Sequence, residues 1–496
     1  MGNMKSFKTP GGGLKILAFG IPAVASFGLI DIVSGSETSM EQDPKPNILF
    51  IFADDHSFRA INALNGEVKT PNLDRLASSG TTFTHAYNMG AWNGAVCIAS
   101  RAMLITGSYI WDAYSYEDEY KNQEEPLSRP MWGNLMQQAG YETYFTGKWH
   151  IKRDPLDVFD HVGNVRPGMP NDVPEGYNRP LHEDDTTWLP WDKKWGGFWK
   201  GGTHWSEVLA DDAVSFLNDA RDSEKPFFMY LAFNAPHDPR QSPKEFVDMY
   251  PLDDISLPAN FQALYPYREE MGSGEGLRDE RLAPFPRTEY AVKVNRQEYY
   301  AIITHMDKQI GIILDELEKS GKADNTYIFF AADHGLAVGE HGLLGKQNMY
   351  DHSIRVPFIV TGPDIPENTE VNADIYYQDV MASSIDIAGL EKPEYVQFNS
   401  VMDLARGDRS ESHYDAIYGA YRHLQRMIRK DGFKLIVYPE ADKILLFDVE
   451  NDPREINDLS GHPRYQSIKT SLFNDLIKLQ EEMNDETEVI TVKNSL

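Results

Sequence analysis

The residues best suited to chemistry are scattered along the chain: Asp54-Asp55, Cys97 and Arg101 in the run Cys97-Ile98-Ala99-Ser100-Arg101, Lys148, His150, His237, Asp333-His334 and Lys346. Cys97 is the only cysteine among 496 residues, so no intramolecular disulfide can form. A lone thiol is more often a small buried hydrophobe than a reactive group. Its setting argues for chemistry. Arg101 follows four residues later, which puts thiol and guanidinium on one face of a helix. Asp54, Asp55 and Asp333 offer three carboxylates to a hard divalent cation. That set suits calcium better than zinc, which prefers more histidine or cysteine than His334 supplies.

Positioning these groups requires several strands to end at one place. Residues 47–53 form a continuous apolar run that ends in Asp54-Asp55, as expected of a strand buried on both faces. Residues 141–145 lead to Lys148 and His150, residues 226–233 to His237, and residues 326–332 to Asp333-His334. In an open α/β sheet, ligands bind beyond such carboxyl ends. Helix signals alternate with the strands. Thr70, Pro71 and Gly80 frame one helix, a second follows Cys97, and a third runs from Ser128-Pro130 to Gly140. Asn295 reads as the cap of a long amphipathic helix with Ile302, Ile303, Met306, Ile310, Ile313, Leu314 and Leu317 on one stripe, ending at Gly321. Residues 356–360 give another strand. From about Val401 the pattern turns to short β runs at 433–437 and 444–447 and a final helix near 468–483. The expected fold is α/β: a large mixed, mostly parallel sheet sandwiched by helices over residues 46–400, followed by a smaller antiparallel α+β unit over 401–496.

Net charge is -29. Such a field repels nucleic acid and anionic membrane surfaces, so neither is an expected partner. An anionic substrate would need a local cluster of cations to overcome it. Lys5, Lys8 and Lys15 precede an apolar stretch over residues 16–30 and small polar residues near 34–36. This pattern predicts a secretory signal peptide over residues 1–36, and with it a periplasmic or secreted protein with no membrane association beyond that segment.

Taken in order, the motifs resemble the type I, formylglycine-dependent sulfatases of the alkaline phosphatase superfamily, and more narrowly its carbohydrate sulfatases. The resemblance rests on residues 47–55, Thr70-Pro71-Asn72-Leu73-Asp74-Arg75-Leu76, residues 97–101 with Leu104 to Gly107, Gly147-Lys148-Trp149-His150, Ala235-Pro236-His237, and Ala332-Asp333-His334-Gly335 with Gly339-Glu340-His341-Gly342. It implies an alkaline phosphatase-like fold and sulfuric ester hydrolysis. It further implies that a maturation enzyme oxidises Cys97 to formylglycine (3-oxoalanine), and that Asp54, Asp55, Cys97, Asp333 and His334 hold calcium. One hydroxyl of the hydrated aldehyde attacks sulfur, and the other lets the carbonyl re-form and expel sulfate. Arg101 supports the nucleophile, Lys148 and Lys346 grip sulfate oxygens, His150 is the base, and His237 is the acid, with Lys346 as a second candidate. One departure stands out: Ala99 occupies the position where the family usually carries proline.

The substrate is less legible. Between Arg153 and Trp205 the periodic signals lapse while five of nine tryptophans appear, at 188, 191, 195, 199 and 205. Flat aromatic faces stack on sugar rings, which makes Trp188, Trp199, His204 and, from a second irregular stretch over 265–290, Arg268 candidates for binding a sulfated carbohydrate. The same segments read equally well as loops packed by their own aromatics. Two other functions stay open: a phosphonate monoester or phosphodiester hydrolase of the same superfamily, and a non-catalytic secreted glycan-binding pseudoenzyme.

Overall fold

A computed structural model describes residues 44–489 except residues 124, 167 and 169–172. The leader segment expected over residues 1–36 lies outside the described residues. No helix among the described residues is long and apolar enough to cross a membrane.

The main sheet has nine strands. From one edge to the other they are β11 (Thr369–Val371), β2 (Thr81–Tyr87), β10 (Arg355–Thr361), β9 (Thr326–Ala332), β1 (Asn47–Ala53), β8 (Phe227–Ala232), β4 (Glu142–Lys148) and β5 (His161–Arg166), with β12 (Ile375–Tyr376) also on β2. Every pairing is parallel except those of β10 with β2 and β9. The apolar run of β1 is central because every one of its residues is buried, as a strand covered by helices on both faces requires. β1, β4, β8 and β9 lie side by side, so their carboxyl ends reach one edge together.

A second sheet joins β16 (Lys443–Asp448), β15 (Phe433–Tyr438), β14 (Gln425–Lys430) and β13 (Ile417–Tyr421) in antiparallel order, and then β3 (Gly90–Ala91) runs parallel to β13. Thus a strand from the first hundred residues completes the C-terminal sheet. A third, two-stranded sheet pairs β6 (Trp199–Lys200) with β7 (Thr203–His204).

The long helix spans Glu289–Ser320 and starts well before Asn295. Thr288 is the true cap, its hydroxyl accepting from the Ala291 amide. Polar residues in the first turns hid this start, because they are buried as partners: Arg296 pairs with Glu67, and Glu298 accepts from Trp188 Nε1 at 3.1 Å. Asn295 sits inside the helix and donates to Ala291 O.

Two joints between the sheets are testable. Gly90 has φ +91°, and a Cβ there would lie 2.0 Å from the Ala420 carbonyl oxygen. Gly90→Ala is therefore expected to cost at least about 2 kcal/mol in urea unfolding. The second joint is Glu340, which pairs with Arg59 and with Arg454. Burial alone would raise its carboxyl pKa, but the charges of Arg59, His352, Arg454 and Arg296 outweigh it and hold the group at about 2. A depressed acid stabilises the fold fully above its unfolded value near 4.5 and loses that contribution as pH falls through about 2. The shift corresponds to about 3 kcal/mol. The stability gap between wild type and Glu340→Gln should be widest above pH 4.5 and less than half as large at pH 3; an equal gap at both would refute the assignment.

Candidate active site

The site is assembled at the carboxyl ends of β1, β4 and β9. Asp333 N donates to Ala53 O at 3.1 Å, and Asp55 N donates to Asp333 Oδ1 at 3.0 Å, so the ends of β1 and β9 are stitched together by their own acidic residues. Asp55 adopts φ +70°, a strained turn for a residue with a side chain. Tyr299 secures it: its hydroxyl donates to Asp55 O and accepts from Ser57 N, both at 2.8 Å.

Cys97 is the second residue of the helix Val96–Thr106 and is buried. Its Sγ lies 3.3 Å from Asp54 Oδ1, 3.6 Å from Asp55 Oδ1 and 2.9 Å from Lys346 Nζ. The helical spacing sends Arg101 to the same place. Its Nε donates to Asp333 Oδ2 at 3.0 Å, its Nη1 to Lys148 O at 2.7 Å, and its guanidinium lies over the Phe52 ring. Lys148 ends β4 with its ammonium on Asp54, and Lys346 places its own on Asp55. Gly147 makes the approach of Lys148 possible: it has φ +100°, and a Cβ there would sit 1.9 Å from Ala232 O.

His237 presents Nε2 3.6 Å from Asp55 Oδ2, while Nδ1 faces the Asp238 carbonyl oxygen at 2.7 Å. One metal-sized cluster gathers ligand atoms of Asp54, Asp55, Cys97 and His237 within 4.8 Å of one another. Asp333 adjoins that cluster through Asp55 N and Arg101. The fully buried ring of His334 lies close to the Gly335 and Ser353 backbone, but neither of its nitrogens makes a well-formed hydrogen bond.

Three carboxylates and three cations, Arg101, Lys148 and Lys346, are thus packed together with almost no solvent exposure. Their field sorts the titratable groups. Burial and the charges of Asp333, Asp54 and Asp55 push the Cys97 thiol well above its usual range, so the sulfur stays protonated. Burial, Lys148 and Arg101 pull His150 down to about 2, and burial with Lys346 and Lys148 pulls His237 well below the ordinary histidine range. Lys346 shifts upward: burial opposes its charge, but Asp55 and its neighbours outweigh burial.

A cavity of about 240 Å³ opens onto this cluster. Cys97, His150, His237 and Lys346 line it, with Gly94, Leu277, Arg278, Asp279 and Gln347 around them. Leu277, Asp279 and Gln347 carry no sequence signal of their own. Arg278 belongs to the arginine-bearing irregular stretch, and its guanidinium is braced by Asp238 and Asp279.

The tryptophan-rich segment does not line this cavity. Trp188 is buried against Glu298 and stacks on Trp195, and Trp199 is buried edge-on to His204. His204 caps the helix Trp205–Arg221 by accepting from Ser206 N, and its other ring nitrogen meets Gln241 O. Arg268 pairs with Glu269 and lies over Phe285. These side chains pack their own loops, the plainer of the two expectations, because burying a tryptophan gains more than exposing it.

Comparison with known proteins agrees with this geometry. The family model described as Sulfatase matches residues 46–390, and one described as N-sulphoglucosamine sulphohydrolase, C-terminal, matches residues 339–482. An N-acetylglucosamine-6-O-sulfatase of Bacteroides thetaiotaomicron is 27% identical, over 92% of this chain and 90% of that one. A protein solved in complex with its substrate D-glucosamine-2-N,6-O-disulfate superposes with TM-score 0.68 at 24% identity, covering 89% of this chain and 99% of that one. The phosphonate monoester hydrolase of Silicibacter pomeroyi shares the fold at TM-score 0.70 and 21% identity, covering 90% and 97%. With the family model spanning well over half of its length, the chain belongs to the sulfatase family.

Proposed function

We propose that this sulfatase releases sulfate from a sulfated carbohydrate, using the Cys97 position, oxidised to formylglycine, as nucleophile and a calcium ion held by Asp54, Asp55, Asp333 and His334. One observation carries the reading. In a chain of net charge -29, two lysines and an arginine are drawn onto a carboxylate cluster beside Cys97, in a cavity sized for one sugar ring and a sulfate.

The donor set fits a hard cation. The carboxylates are oxygen ligands, His334 offers buried nitrogens with no well-formed hydrogen bond, and oxidation replaces a soft sulfur at position 97 with oxygen. With the carboxylates balanced by Arg101, Lys148 and Lys346, a divalent ion leaves the site net positive and receptive to a sulfate ester. When bound, calcium supplies Lewis acidity, lowering the pKa of the hydrated aldehyde and drawing charge from sulfate oxygens. Burial beside three carboxylates disfavours a thiolate, so an unmodified Cys97 would be a poor nucleophile in this setting.

The remaining roles follow from charge and reach. Lys148 and Lys346 flank Cys97 and hold sulfate oxygens as the bond to the leaving oxygen breaks. His150 is the base: burial with Lys148 and Arg101 keeps it neutral and weakly basic, and a bound sulfate that offsets those two charges raises its affinity for a proton. His237 turns Nδ1 to the Asp238 carbonyl and Nε2 toward Asp55 on the cavity side; held neutral by burial and the nearby lysines, it acts as the acid only after Nε2 has taken up a proton. Lys346 already bears a proton 2.9 Å from the Cys97 sulfur and is the alternative donor. Arg101 orients Asp333 and the β4 terminus. A cavity for one ring favours a sulfate at a chain end. The named carbohydrate sulfatase among the relatives supports a glycan substrate, and the leader pattern supports export to the periplasm or beyond. On this reading residues 46–400 carry catalysis and 401–496 close the C-terminal side of the site.

Three experiments test it. In protein with converted Cys97, alanine at His150 or His237 should cut sulfate release by roughly a hundredfold or more while the melting temperature moves little; Lys148→Ala should cut release as far but also lower the melting temperature, because it leaves the buried Asp54 without its partner; unchanged release from all three variants would refute these roles. Chelating calcium should abolish release of sulfate, and added calcium should restore it. Rates on matched sulfate and phosphonate monoesters should favour sulfate; a preference for phosphonate would move the chain to the other activity of this fold.

A further inference from the structure

We propose that Arg422, with Trp92 beside it, forms a second subsite at the mouth of the Cys97 cavity, which takes a carboxylate- or sulfate-bearing sugar adjoining the one that carries the scissile sulfate. The inference rests on the sulfate-ester reading and concerns the part of the glycan outside the cavity. Arg422 opens the loop Arg422-His423-Leu424 between β13 and β14, where Tyr421 pairs with Gln425. Both Arg422 and His423 are exposed.

Contacts fix this hairpin tip to the cavity rim. Arg422 N donates to Ala91 O at 2.8 Å, and three residues after Ala91 come Gly94 and Ala95, exposed and lining the cavity. The Tyr421 hydroxyl lies 3.8 Å from where a Gly94 Cβ would stand, and the Arg422 guanidinium neighbours that hydroxyl. Gln425 Nε2 donates to Gln347 O at 2.9 Å, and Gln347 Nε2 donates to Gly94 O at 3.2 Å. The tip is therefore tied through two hydrogen bonds to two of the cavity's lining residues.

Two features make this tip a binding surface, while the φ of +48° at Arg422 belongs to the three-residue turn that presents it. No carboxylate pairs with its guanidinium among the described residues, in a chain with 76 acidic residues. Beside it, half-buried Trp92 meets Tyr114 at 5.5 Å between ring centroids, and Tyr114 is 52% exposed. An aromatic shelf next to a guanidinium held by the Tyr421 hydroxyl and by no carboxylate matches the apolar face and the anionic group of one sugar. This is the sugar-stacking surface that the buried tryptophans at 188 and 199 do not supply.

The test is calorimetric titration of the full chain in calcium buffer, with Cys97→Ser to prevent turnover. The probes are glucosamine 6-sulfate alone and the same sugar 1→4-linked to glucuronic acid. Wild-type Arg422 should bind the disaccharide at least tenfold more tightly than the monosaccharide, and the advantage should shrink as salt rises. Arg422→Gly, which relieves the positive φ and so keeps the hairpin, should reduce the disaccharide to the monosaccharide's affinity and leave the monosaccharide unchanged. Equal affinity of both sugars for the parent protein, or equal loss of both in Arg422→Gly, overturns the subsite. Sulfate release from the same disaccharide by the converted enzyme is measured separately. Its absence alongside an intact disaccharide preference overturns the sulfate-ester reading and leaves the subsite standing.

Discussion

Charge neutrality in a dry place is the constraint on which this structure depends. Asp54, Asp55 and Asp333 are wholly buried, and only the nearby placement of Arg101, Lys148 and Lys346 makes that burial tolerable. A buried ion stripped of its partner costs several kcal/mol, so each member fixes the position of the others. This demand explains why four neighbouring strands end in register, why β4 carries glycine just before its lysine, and why Tyr299 holds the left-handed turn at Asp55. The hydrophobic core sets the sheet; the ion cluster sets where its strands stop.

The same field that holds the site together dictates what chemistry is available in it. Burial and three anionic neighbours make a thiolate at position 97 unfavourable, and burial with the nearby cations keeps His150 and His237 neutral. A sulfur nucleophile is therefore badly served here. An oxygen nucleophile activated by a divalent ion is well served, and the ammonium groups already sit where an anionic ester would arrive.

Much of this was legible because the strands that matter are continuous apolar runs. β1 and β9 have the limits their hydropathy indicates, and the catalytic-type residues stand immediately after them. The expected helix after Cys97 is present as well. What escaped the sequence shares one physical cause: polar residues buried as matched pairs look like surface. β14 reads Gln-Arg-Met-Ile-Arg-Lys, yet Arg426 and Arg429 are buried against Asp485 and Asp374. The early turns of the long helix were hidden in the same way. Tryptophans, conversely, read as a ligand platform because a sequence cannot tell a ring that stacks on sugar from one that stacks on its own loop. Arg422 was invisible for the opposite reason: nothing in a short hairpin sequence announces that its tip lies beside a cavity built hundreds of residues earlier.

Gly90 and Ala91 give the molecule a timetable. Their partners on β13 leave the ribosome on the order of tens of seconds after them at ordinary rates of synthesis. Until then the segment from Gly90 through Cys97 lacks the strand that pins it, and the wall at Gly94 has no Tyr421 behind it. Once the C-terminal sheet closes, Cys97 is 3% exposed and beyond the reach of another protein. The loop that leads into the Cys97 helix therefore reaches its final place only after the last hundred residues of the chain have been made.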